Sequence, residues 1–125
     1  MISLILVAHS KMITDGLKHM IDGMANNNNV TAISAGGMEN GAFGTNPITI
    51  YDAIIAESES EKILIFTDLG SAVLSAEMAI DMLTSEVQSK VSLVDAPLVE
   101  GAFITAVQIT DLNNLDDVIA EVEEM

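Results

Sequence analysis

Two short stretches leave this chain few folds to choose from. "ISLILVA" (Ile2–Ala8) and "KILIFTD" (Lys62–Asp68) run apolar almost without interruption. A strand with one wet face alternates apolar and polar residues, whereas a continuous apolar run is the pattern of a strand buried on both faces of a parallel sheet. "VTAISA" (Val30–Ala35) and "KVSLVD" (Lys90–Asp95) are more mixed, as edge strands are. The segments between them have helical spacing. Ile13, Leu17, Met20, Ile21 and Met24 form one stripe, with Lys11, Asp15, Lys18 and Asp22 opposite. Asn46-Pro47 supplies a capping side chain followed by a residue suited to a first helical turn, after which Ile48, Tyr51, Ile54 and Ile55 face inward. A third helix is expected near Leu69 and a fourth near Pro97. A last one runs from an Asn114 cap through Leu115, Val118, Ile119 and Val122, with Asp116 and Asp117 at its positive end.

Strands alternating with helices mean a three-layer α/β fold. Two central and two edge strands give an open, mainly parallel sheet of order 2-1-3-4, and right-handed crossovers put helices on both faces. Residues 1–125 are read as one domain, because a domain usually takes ~100–200 residues. Such sheets bind ligands beyond the carboxyl ends of their strands, where the winding reverses. Here that point lies between strands one and three. The residues that follow them, His9 and Asp68, are therefore expected to meet.

A histidine leaving a strand at the winding reversal enters a helix start, where backbone N–H groups lack partners and favour anions. A carboxylate on one imidazole nitrogen fixes the tautomer and leaves the other nitrogen free to attack. Asp68 is placed for that task. It also stands where a cap for the third helix belongs, and the two roles are compatible. His19, at the margin of the polar face of the first helix beside Asp15 and Asp22, reads as a solvated surface residue.

Glycines gather in "SAGGMENGAFGTNPIT": Gly36, Gly37, Gly41 and Gly44, with Thr45 and Asn46 just before a helix. A glycine-rich loop entering a helix start suits a phosphate, although the lysine of a nucleotide-binding loop and the spacing of a dinucleotide fingerprint are both absent. "DLGSA" offers a second set of donors, with Gly70 and Ser71 at the start of the third helix.

Charge narrows the chemistry. Four basic residues face nineteen acids, for a net charge of −15, and none of the four is arginine. Nucleic acid and anionic membranes are poor partners for such a chain, and a basic protein is a good one. Without cysteine there is no disulfide, no thiolate catalysis and no cysteine metal site. No acidic pair follows the first strand to hold Mg²⁺, so no metal site is expected. The N-terminal apolar run is too short to span a membrane and lacks the flanks of a signal peptide, so a cytoplasmic protein is expected. A transient phosphoryl group on His9 needs only an imidazole, a carboxylate to orient it and donors for its oxygens, with cationic help arriving from a partner. The third helix carries two apolar stripes, Leu69, Val73, Ala76, Ile80 and Leu83 on one flank and Leu74, Met78 and Met82 on another. Two stripes mean either a deeply buried helix or a docking face.

"LILVAHS", "AGGMENGAFGTN", "FTDLGSAVLSAEMA" and "DAPLVEGAFITAV", in this order and over nearly the whole chain, resemble the phosphoryl-donor subunits (DhaM) of bacterial dihydroxyacetone kinases. These kinases depend on the phosphoenolpyruvate:sugar phosphotransferase system, and the subunits are similar in fold to its homodimeric mannose-type IIA (EIIA) domain. The resemblance implies that His9 takes a phosphoryl group from the phosphohistidine of HPr. It implies transfer to ADP, with Mg, on the partner subunit DhaL, for use on dihydroxyacetone held by DhaK. It also implies no cofactor on this chain, an orienting role for Asp68, and a phosphoryl site lined by Gly44, Thr45, Gly70 and Ser71. The HPr-like and enzyme-I-like domains fused to some members are then expected on separate proteins. Two alternatives remain at this point. One is a mannose-type IIA domain serving a sugar transporter, which the "DLGSA" and "APLVEGA" wording disfavours. The other is a non-catalytic flavodoxin-like binding module, for which the loop after strand one is short and aromatics are scarce.

Overall fold

A computed structural model describes all residues from Met1 to Met125. Four strands, β1 (Ile2–Val7), β2 (Val30–Ser34), β3 (Lys62–Thr67) and β4 (Val91–Val94), alternate with six helices. The helices are α1 (Lys11–Met24), α2 (Pro47–Ala56), α3 (Gly70–Asp81), α4 (Ser85–Gln88), α5 (Leu98–Gln108) and α6 (Leu115–Glu123). The sheet has the order β2-β1-β3-β4, and every pairing in it is parallel.

The two continuous apolar runs are the two central strands, and all six residues of β1 are buried. The pleat sends alternate side chains of each to opposite faces. Leu4, Leu6, Leu64 and Phe66 join a core with Leu17 and Ile21 of α1, Ala102 and Ala106 of α5, and Val118 and Val122 of α6. Ile5, Val7, Ile63 and Ile65 join another with Ile50 and Ile54 of α2 and Ala72, Ala76 and Ala79 of α3. Helices thus cover both faces of the sheet. The β1–β3 register ends at Val7↔Thr67, so the chain leaves both strands at the same level. No helix is long and apolar enough to cross a membrane.

Several local details differ from the sequence expectation. In α1 the buried stripe is Thr14, Leu17 and Ile21, while Ile13 and Met24 are exposed. In α2 Ile50 and Ile54 point into the core, and Ile48 and Ile55 lie on the surface. In α3 the buried edge is alanine, because small residues let a helix lie close on a β-branched sheet surface. Leu74, Met78 and Met82 form an exposed stripe, so α3 is not a deeply buried helix. The short α4 has no counterpart among the expected helices. It is capped by Thr84, whose hydroxyl accepts from the Val87 N–H. Asn114 stands at the cap position of α6 but does not cap it. Its side chain accepts from the Thr110 N–H and donates to the Gln108 carbonyl, pinning the preceding loop.

Candidate functional site

His9 sits where β1 has ended and α1 has not begun, held between buried Ala8 and the first helical turn. Asp68 occupies the matching place after β3. Its carboxylate accepts the His9 backbone N–H at 3.0 Å and faces His9 Nδ1 with its two oxygens at 3.1 and 3.2 Å. Both side chains are mostly covered, at 28% and 20% of full exposure. Burial alone pushes the Asp68 carboxyl up. The backbone N–H groups of His9 and Leu69, and then the His9 imidazole, outweigh it and hold the group below its ordinary value. Asp68 does not cap α3: the cap position belongs to Leu69, with no side-chain bond, and the carboxylate is turned to His9 instead.

The other ring nitrogen, Nε2, lies 2.6 Å from the Ser71 hydroxyl. With Nδ1 donating to a carboxylate, Nε2 carries the lone pair, and Ser71 donates to it. The backbone N–H groups of Gly70 and Ser71 make no hydrogen bond within the chain. They are open first-turn donors beside the imidazole.

The glycine loop closes the other side. The Gly37 N–H donates to the Ala8 carbonyl at 2.9 Å and the Gly44 N–H to the His9 carbonyl at 2.8 Å, so the loop is laced to the backbone on which His9 stands. Gly37 has φ +73, and a Cβ there would come 2.9 Å from the Lys11 nitrogen. Glycine meets both constraints at once. At Gly36 the limit is contact alone, since a Cβ would come 2.6 Å from Thr14 Oγ1.

His9, Asp68, Gly70 and Ser71 are therefore brought together at the imidazole. Gly44 meets the backbone of His9, not the ring. Thr45 has its hydroxyl 2.6 Å from that of Ser75, one turn along α3 from Ser71. His19 is exposed and outside the cluster. Two contributors escaped sequence reasoning. Thr14, fully buried, accepts the Gly36 N–H at 3.2 Å and donates to the Lys11 carbonyl, which clamps the glycine loop to α1. Its phase with Leu17 and Ile21 was the available signal. Ser75 had none, because its partner lies on another element.

The family model described as PTS system fructose IIA component, EIIA-man, matches residues 3–123. The chain belongs to the EIIA-man family. Among relatives of this EIIA-man chain is a Listeria innocua protein named PEP-dependent dihydroxyacetone kinase 2, phosphoryl donor subunit DhaM. The two are 51% identical over 108 residues, covering 86% of each chain. A Providencia stuartii protein, named phosphoryl donor subunit DhaM of PEP-dependent dihydroxyacetone kinase, is 37% identical over 126 residues. That match takes in 99% of this chain but only 26% of the longer relative. Among solved structures, the crystal structure of a protein of unknown function, EF1359, superposes with a TM-score of 0.86 at 47% identity, covering 98% of this chain and 92% of that one.

Proposed function

We propose that the chain is the phosphoryl-donor subunit of a phosphoenolpyruvate-dependent dihydroxyacetone kinase, working through a phosphohistidine on His9. The observation that carries this reading is the imidazole itself, with Nδ1 on Asp68 and Nε2 on a hydroxyl that can swing away. The identity to relatives bearing that name supports the pathway.

In the proposed reaction Nε2 attacks the phosphorus of phospho-HPr in line. The new Nε2–P bond forms as the donor N–P bond breaks, its electron pair returning to the donor imidazole. Ser71 Oγ stands where the phosphorus must arrive, so its hydroxyl turns aside and then donates to a phosphoryl oxygen. The open N–H groups of Gly70 and Ser71 serve the other oxygens. The charge that His9 gains is balanced by Asp68, which stays anionic. Gly44 ties the glycine loop to the His9 backbone, and Thr45 ties it to α3 through Ser75. In the second half-reaction the terminal phosphate of ADP attacks the same phosphorus, and the pair of electrons returns to Nε2. ADP and Mg belong to DhaL, and DhaK holds the dihydroxyacetone that is finally phosphorylated. This chain binds no cofactor of its own, acts in the cytoplasm, and pairs with a second copy through the exposed stripe Leu74, Met78 and Met82.

The family description also covers sugar-transport components, and a IIA domain serving a transporter is the second reading. Phosphoenolpyruvate, enzyme I and HPr should place an acid-labile, base-stable phosphate on the wild-type chain and none on His9→Ala. An unlabelled wild type contradicts both readings. ADP-loaded DhaL should then strip the label; a label that stays put favours the transporter. Sedimentation as a monomer at micromolar concentration contradicts the pairing.

A further inference from the structure

A crevice on the far side of Asp68 is left over by this chemistry. It opens between the carboxyl ends of β3 and β4 and the start of α3, with a volume of about 340 Å³. Val73, Leu93 and Ala96 give it apolar walls, and Asp68 and Asp95 supply carboxylates. Asp95 is exposed, and its backbone N–H donates to Glu123 Oε2 at 3.0 Å, which brings a third carboxylate to the same edge. No cation of the chain lines it. Lys11 and Lys18 pair with Asp15 and Asp22, Lys90 donates to the Ser58 carbonyl, and Lys62 opens β3 at the opposite end of the sheet. Leu69, at 63% exposure, also lines it, just before α3.

We infer that this crevice is the socket for a long cationic side chain, an arginine by its chemistry, carried by the donor protein that hands the phosphoryl group to His9. The inference rests on the function proposed above and adds the place where the missing positive charge docks. Apolar walls suit an alkyl stem, and the planar fork of a guanidinium suits carboxylates at the end of a slot. A side chain seated there lies against the carboxylate that holds His9. It therefore brings its charge to the phosphoryl group in transit without residing in this arginine-free chain. A divalent cation is a poorer occupant, because these carboxylates are not gathered closely enough to form one ligand set.

The test compares two phosphoryl donors on the full chain: phospho-HPr, a protein, and phosphoramidate, a small molecule with no side chain to dock. Asp95→Asn should raise the KM for phospho-HPr about 3- to 10-fold and flatten its dependence on salt, with Asp95→Lys worse and Asp95→Glu close to wild type. Labelling of His9 by phosphoramidate should stay within about twofold of wild type in all three, as expected for a contact made only with the protein donor. An unchanged KM for phospho-HPr overturns the socket alone. A matching loss with phosphoramidate makes Asp95 a support of His9 and also overturns it. A wild type labelled by phosphoramidate but not by phospho-HPr overturns the proposed donor and the socket with it. Mg²⁺ binding by calorimetry that Asp95→Asn abolishes assigns the crevice to a metal, against the inference.

Discussion

Replacing Asp68 by asparagine changes one group and leaves the shape of the site almost untouched. The amide oxygen can still accept the His9 backbone N–H, but the amide nitrogen then meets Nδ1, where the carboxylate now lies at 3.1 to 3.2 Å. Two donors cannot face each other, so the imidazole is driven to the tautomer with its proton on Nε2. The nucleophilic lone pair is then on the wrong nitrogen. A hydrogen bond to a charged group contributes about 1.5–3 kcal/mol, and tenfold corresponds to about 1.4 kcal/mol. The reactive tautomer therefore falls by about 10- to 150-fold, and the rate of phosphoryl transfer with it. The cost to folding stays below about 2 kcal/mol, because the backbone bond survives. Rapid-quench transfer from labelled phospho-HPr measures the first quantity and urea unfolding the second. A folded Asp68→Asn protein that accepts phosphate within about threefold of the wild-type rate, against a loss of at least about tenfold expected, refutes the assignment of Asp68 as the residue that sets the tautomer.

Ser71→Ala removes a donor to the phosphoryl oxygens and should slow transfer about 5- to 50-fold with little change in stability, since a lost neutral hydrogen bond is worth about 1 kcal/mol and preorganised donors are worth more. The same rapid-quench assay checks it, and an unchanged rate removes Ser71 from the mechanism. Gly37→Ala combines a φ of +73 with a Cβ 2.9 Å from the Lys11 nitrogen, and should cost about 1–3 kcal/mol in urea unfolding; a neutral result shows that the loop yields easily. Because the Asp68 carboxyl is held below its ordinary value, its contribution to stability is complete above the unfolded carboxylate range and disappears as pH falls through the lower folded value. Wild type should therefore lose stability more steeply than Asp68→Asn on acidification below about pH 4, and parallel curves contradict the coupling.

The arrangement of the sheet was legible because the central strands have no polar face to hide. "ISLILVA" and "KILIFTD" fixed β1 and β3 as neighbours in the middle, and the mixed runs took the edges. That order alone made His9 and Asp68 meet. What escaped notice has a common physical cause. The helices lie on the sheet through small or polar residues, Ala72, Ala76 and Ala79 in α3 and Thr14 in α1. Hydropathy favours the larger neighbours, so it points Met24, Ile48 and Ile55 to an interior they do not enter. Asn114 and Asp68 have side chains suited to capping, yet each is claimed by a partner distant or outside the helix turn, which a local rule does not register. The Thr45–Ser75 contact joins two elements, and no spacing along the chain announces it.

The role of the imidazole can be read directly from its nitrogens. After incubation with phosphoenolpyruvate, enzyme I and HPr, long-range ¹H–¹⁵N spectra of the labelled chain should show phosphorus on Nε2 of His9 and a proton on Nδ1, with His19 unchanged. Phosphorus on Nδ1, on His19 or on no histidine would contradict the account.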